Sequence, residues 1–132
     1  MLAGSEFVNL YITNTSMVIV ETTLEAFERD VVRQSRQRPM LVDFWADWCA
    51  PCLVIAPVLE RVLEELGGAV GLAKLEVDEG ENMKLAGHYR VRGFPTVLLF
   101  DDGAEVARFS GARSRTQILE FIRSHIDLPD PV

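Results

Sequence analysis

Cys49 and Cys52 are the only cysteines in the chain, and they are separated by Ala50 and Pro51. A cysteine is a nucleophile only as its thiolate, and an unperturbed thiol, with a pKa of roughly 8.5, is a few per cent ionised at neutral pH. Something must favour the anion. Cys49 falls where an apolar run, residues 40–46, hands over to a helical pattern. Unpaired backbone N–H groups and the positive end of the helix dipole would therefore face its sulfur and lower its pKa. Cys52 follows in the first turn, near enough to attack a mixed disulfide at Cys49, and lies on the stripe that turns inward. On this reading Cys49 attacks and Cys52 resolves. Pro51 suits the first turn, where its missing N–H has no partner to lose, and stiffens the loop between the sulfurs.

Other uses of the pair compete with exchange chemistry. Zinc would require further ligands at short spacing, but His88 lies 36 residues after Cys52, and His125 is isolated as well. A purely structural disulfide closing so small a loop removes little entropy from the unfolded chain. Two unreactive buried thiols are the third alternative.

These residues must be positioned by a framework, and the chain has length for one. Its 132 residues, 48% hydrophobic and 25% charged, suit a single compact domain. No apolar stretch of about 18 residues is present to span a bilayer, and the start Met1 to Phe7 has no basic head and apolar run of a secretion signal. A cytoplasmic protein is the expectation. The net charge of −7, without a dense Lys/Arg cluster, disfavours nucleic acid and suits a soluble monomer.

Met17 to Val20 reads as a short strand. Thr22 or Thr23 then caps a helix with Leu24, Phe27, Val31 and Val32 inward, ending before Pro39. Residues 40–46, nearly all apolar with Asp43 inside, suit a strand buried on both faces at the centre of the sheet. Cys52, Ala56, Leu59, Leu63 and Leu66 draw one stripe along a helix that Pro57 should kink and Gly67-Gly68 should end. Residues 70–77 form a further strand, residues 82–89 a short helix, and residues 93–100 lead into another strand. Asp101-Asp-Gly103 turns the chain into residues 104–110, which should pair with it as a hairpin. Ser114 caps a last helix with Ile118, Leu119, Phe121, Ile122 and Ile126 buried and Pro129 ending it. The fold class is α/β in the order βαβαβαββα, a central mixed sheet of four to five strands with helices on both faces. No Gly-rich phosphate loop supports a nucleotide-binding use of that layout.

Residues 42–52, Val-Asp-Phe-Trp-Ala-Asp-Trp-Cys-Ala-Pro-Cys, resemble the signature of the thioredoxin family. The likeness extends through Ala56-Pro57 at the helix kink, Ala73-Lys-Leu75 at an edge of the sheet's centre, Val91-Arg-Gly-Phe-Pro-Thr96 as the cis-proline loop, and the turns at Gly103 and Gly111. It covers the chain from about Ser16 to His125. Residues 16–127 are thus expected to form a thioredoxin-like domain, residues 1–15 an extension or a remnant of cloning, and residues 128–132 a short tail.

The resemblance implies a thioredoxin fold, a redox-active disulfide Cys49–Cys52 with no bound cofactor or metal, protein disulfides as substrates and a thioredoxin reductase as partner. It assigns Asp43 as the buried acid that exchanges a proton with Cys52. A carboxylate in an apolar strand should in any case have its pKa raised by desolvation. Lys74 is its implied companion, although a snorkelling surface lysine would read the same way. Pro95 is the implied cis-proline, exposing the Phe94 backbone to an extended substrate. Trp48, Ala50, Pro51, Phe94, Gly111 and Ala112 complete the implied substrate surface, and Trp45 is read as core. Three departures stand out: Ala50 in place of the usual glycine, Leu53 where a basic residue is common, and two extra residues within Asp78 to Met83. With Pro51 retained, a potential near roughly −270 mV is expected, not the oxidising end near roughly −120 mV. A co-chaperone or adaptor with little turnover, or an oxidase or isomerase of an oxidising compartment, would share most of these residues.

Overall fold

The computed structural model describes residues 17–128, so the expectations for residues 1–15 and for Pro129 lie outside the described residues. Five strands form one sheet: β1 (Ile19–Glu21), β2 (Met40–Trp45), β3 (Gly71–Glu76), β4 (Thr96–Asp101) and β5 (Ala104–Ser110). Their spatial order is β1-β3-β2-β4-β5. β1, β3 and β2 run parallel, and β4 and β5 are antiparallel. The central strand is β2, as its apolar run requires: Met40 to Phe44 are all buried. β3 lies inside the sheet, paired with β2 on one side and, at residues 72–74, with β1 on the other.

Side chains alternate across the sheet, so each face acquires its own core. On one face Val42, Phe44, Ala73 and Leu75 meet Phe27 and Val31 of the first helix and Leu85 and Ala86 of α3 (Met83–His88). On the other, Leu41, Leu72, Val97 and Leu99 meet α2 (Ala50–Leu66) and α4 (Arg115–His125). This is the layered arrangement of a thioredoxin fold, with helices on both faces of a mixed sheet.

The first helix, α1, differs from expectation in its winding. It runs as a wide π-type helix over Glu28–Arg33 and tightens into a 3₁₀ turn over Gln34–Arg36. Thr23 is the capping residue, its Oγ1 accepting from the Ala26 N–H at 3.1 Å. The far end of α1 is pinned from outside: the Ser35 carbonyl accepts from Asp102 N–H at 2.9 Å, and its hydroxyl accepts from Gly103 N–H at 2.8 Å. With both ends held, the turns between them adapt, while Phe27 and Val31 keep their inward spacing.

The stripe on α2 is also rotated from the predicted one. Cys52, Ile55, Leu59, Val62 and Leu63 are buried, whereas Ala56 and Leu66 are only half-buried. The helix is walled by the sheet on one side and by Ile118 and Ile122 of α4 on another, so the buried arc is set by two neighbours. Gly67 ends α2 at φ +57°, where its N–H meets the Leu63 and Glu64 carbonyls. α4 opens with the expected cap: Ser114 Oγ accepts from Gln117 N–H, and Gln117 Oε1 accepts from Ser114 N–H.

Asn82 holds the loop before α3. Its side chain is 1% exposed, accepting from Leu24 N–H at 2.8 Å and donating to the Glu76 carbonyl at 2.9 Å. Replacing it with alanine strands two backbone groups in the interior, and each costs about 1–3 kcal/mol when unsatisfied. Asn82→Ala is expected to lower the free energy of unfolding by about 2–4 kcal/mol in urea titration; a loss under about 0.5 kcal/mol would show that another group takes over both bonds.

Candidate functional site

The carboxyl end of β2 carries the chain to Cys49, which is the N-cap of α2 in an extended conformation, φ −98° and ψ 103°. Cys49 and Cys52 are joined by a disulfide, with their Cα atoms 5.3 Å apart. The Cys52 N–H points at the Cys49 sulfur, N to Sγ 3.2 Å, so the sulfur itself occupies the place of a capping oxygen. Pro51 lies in the first turn, and the N–H groups of Cys52 and Leu53 reach back to the Cys49 carbonyl at 3.1 and 3.2 Å. Cys49 is 5% exposed and Cys52 1%.

Asp43 lies on β2 with the same facing as Leu41, towards the side covered by α2. It is 1% exposed, and neither carboxyl oxygen has a protein hydrogen-bond partner. Burial pushes its pKa up to about 7, against the opposing pull of the Lys74 charge. Lys74 is the cross-strand neighbour of Asp43 on β3. Its ammonium lies 4.0 Å from Glu60 Oε2 and 5.7 Å from the centre of the Trp45 ring. Trp45 is half-buried and packs against the core, as its sequence context suggested.

The Phe94–Pro95 peptide is cis, and Pro95 is buried. The Pro95 carbonyl accepts from Gly111 N–H at 2.9 Å, and Gly111 has φ +85°, which a residue without Cβ adopts freely. Thr96 Oγ1 bonds the Gly93 carbonyl at 2.6 Å and lies 3.0 Å from Ser110 Oγ. Phe94 reaches the cysteines' side of the molecule: it packs against the cluster containing Cys49 and Cys52, and its ring meets Trp48 edge-on at 6.2 Å. Trp48 is 66% exposed, and its indole N–H donates to Asp78 Oδ2 at 2.6 Å.

Thus Trp48, Ala50, Pro51 and Phe94 gather around the disulfide, with Pro95 and Gly111 tied behind Phe94. Ala112 is exposed beside Gly111. Two participants escape a reading of the sequence alone, Asp78 as the partner of the indole and Asn82 as the anchor of its loop. Asp78 lies 30 residues from Trp48, and no local pattern links them. Among the described residues, no three His, Cys, Asp or Glu side chains converge in a way that could hold a metal ion.

The Thioredoxin family model matches residues 18–124. The chain is 44% identical over 111 residues to Thioredoxin C-2 of Corynebacterium nephridii, covering 84% of this chain and 99% of that one. It is 43% identical over 108 residues to a thioredoxin of Pseudomonas aeruginosa, covering 82% and 96%. A bifunctional thioredoxin reductase/thioredoxin of Mycobacterium leprae is 41% identical over 102 residues, which are 77% of this chain and 21% of that protein. Matched from the first strand to the last helix, with a cysteine pair bridged at the head of α2, the chain belongs to the thioredoxin family and is a protein-disulfide reductase acting through Cys49 and Cys52.

Proposed function

We propose that Cys49 is the attacking sulfur, that Cys52 resolves, and that Asp43 handles the proton between them. In the reduced protein the Cys49 thiolate attacks one sulfur of a substrate disulfide, and the other substrate sulfur leaves with the electron pair and takes up a proton. Asp43 accepts the Cys52 proton, with the Lys74 charge supporting the carboxylate form. The Cys52 thiolate then attacks the Cys49 sulfur, expels the second substrate thiol and closes the Cys49–Cys52 disulfide. Two electrons pass to the substrate. The single observation that carries this assignment is the Cys52 N–H aimed at the Cys49 sulfur at a helix N-terminus, a donor that favours negative charge on that atom.

Trp48, Ala50, Pro51, Phe94, Pro95, Gly111 and Ala112 form the substrate surface, in which the Phe94 main chain pairs with an extended polypeptide. The working unit is residues 16–127 as a monomer. A thioredoxin reductase returns the disulfide to the dithiol, in the cytoplasm; among the described residues no helix is long and apolar enough to cross a membrane.

With NADPH and a thioredoxin reductase, the protein is expected to reduce insulin disulfides, and Cys49→Ser is expected to abolish the turnover. A binding-module reading draws on the exposed Trp48, Leu53 and Val54. Absence of turnover, together with suppression of client aggregation, would select it.

A further inference from the structure

The outer face of the first two turns of α2 is not the polar one that a surface helix normally presents; the charged residues Glu60, Arg61, Glu64 and Glu65 take over only further along. Ala50, Leu53, Val54 and Pro57 occupy positions i, i+3, i+4 and i+7 and are all exposed, Leu53 at 54% and Val54 at 62%. They form an apolar stripe opposite the buried one, starting at the disulfide, and Trp48 extends the apolar surface on the other side of Cys49.

An acidic crescent adjoins it. Asp47 precedes Trp48, Asp78 holds the indole, Glu76 ends β3 opposite Trp45, and Glu21 ends the neighbouring β1 opposite Lys74. Asp47, Asp78, Glu79 and Glu21 each stand close enough to act on Glu76. The Glu76 carboxyl is raised above its ordinary range first by partial desolvation and then by Asp47, Glu79, Asp78 and Glu21 in turn. Among the described residues, none of these five carboxylates has a Lys, Arg or His nitrogen within 4.0 Å; the ion pairs formed elsewhere engage Asp30, Glu60, Glu65, Glu81 and Glu105. Nor do they close around a point where a metal ion could sit. Their charge is spread along a surface, a form suited to the spaced cations of a polypeptide.

We propose that this reductase prefers disulfides in polypeptide segments that are both apolar and positively charged, docking apolar residues on Trp48, Leu53 and Val54 and Lys or Arg on the crescent of Glu21, Asp47, Glu76, Asp78 and Glu79. The proposal rests on the reductase reading above and names its substrate class. The crescent steers the encounter and the apolar stripe retains the segment, so charge acts on kcat/KM at low salt and fades as the Debye length shrinks.

The test uses two disulfide-containing decapeptides that share an apolar segment and differ only in flanking residues, Lys/Arg in one and Gln in the other. At about 20 mM salt the basic peptide is expected to be reduced with about tenfold higher kcat/KM, and at about 500 mM the two should converge. The variant E21Q/E76Q/E79Q should lose the preference while reducing the Gln peptide at the unaltered rate. Equal turnover of both peptides at low salt, or a preference that survives the triple neutralisation, overturns the proposal and leaves the reductase intact. Failure to reduce either peptide would instead strike the reductase reading. The surface is then judged by titrating the oxidised protein with the same peptides carrying Ser for Cys. NMR shifts at residues 47, 53, 54 and 76–79 that favour the basic peptide sustain it, and their absence overturns it.

Discussion

Cys52→Ser is expected to stop turnover at the mixed disulfide, lowering steady-state insulin reduction by about a thousandfold or more, while Cys49→Ser forms no such adduct. The asymmetry follows from the local geometry. Cys49 caps α2 with the Cys52 N–H against its sulfur, and Cys52 is the more enclosed of the two at 1% exposure. With serine at position 52, the first exchange still proceeds, but the covalent adduct has no internal nucleophile to release it. A well-oriented internal group acts at an effective molarity of up to about 10⁵ M or more, which external thiols at millimolar concentrations cannot match. Mass spectrometry of the non-reduced reaction should find the substrate attached to Cys49 in stoichiometric amount. Equal trapping by the two single-cysteine variants would show that the sulfurs are interchangeable, and the division of roles would be lost.

Asp43→Asn is expected to stabilise the oxidised protein at pH 8 by about 2–4 kcal/mol, the largest gain from any single substitution considered. The carboxyl is 1% exposed, has no protein hydrogen-bond partner, and titrates at about 7 against an ordinary value of 3.8. Between those two pH values the unfolded chain has released the proton and the folded chain still holds it. The folded state therefore binds more protons, and stability falls as pH rises. The contribution is intact below 3.8, declines through about 7 and is flat above, a total of about 4 kcal/mol at 1.36 kcal/mol per pH unit. Asparagine removes that decline, so the difference between the two urea-derived stability curves should open between pH 4 and 7 and then stay constant. The same substitution should slow release of the mixed disulfide by about 10–100-fold and erase its pH dependence near 7, because Cys52 then has no buried base. A stability difference that does not change with pH would mean that Asp43 is already ionised at pH 4, and its role as proton acceptor would need another basis.

Much of the site was legible in the sequence because its chemistry is local. Two thiols three positions apart, at the seam between an apolar strand and a helical stripe, state which atoms can form the redox pair. Asp43 was legible for a related reason: an acid inside an apolar run must be desolvated wherever that strand lies. The element order and the hairpin after Asp101 follow equally from periodicity and turn residues, which act over a few positions.

The tertiary structure decided what depends on distant neighbours. Which strand flanks β3 on its outer side was settled by β1 pairing with residues 72–74, and the buried arc of α2 turned because α4 packs against it. Asp78 meets Trp48, Asn82 joins Leu24 to Glu76, and the carboxylates of the crescent come together from β1, the turn after β2 and the end of β3. Short-range patterns record the conformational preference of a segment, whereas such meetings arise from packing in three dimensions. The reacting group could therefore be read from residue types and spacing, and the surface that selects its substrate required the fold.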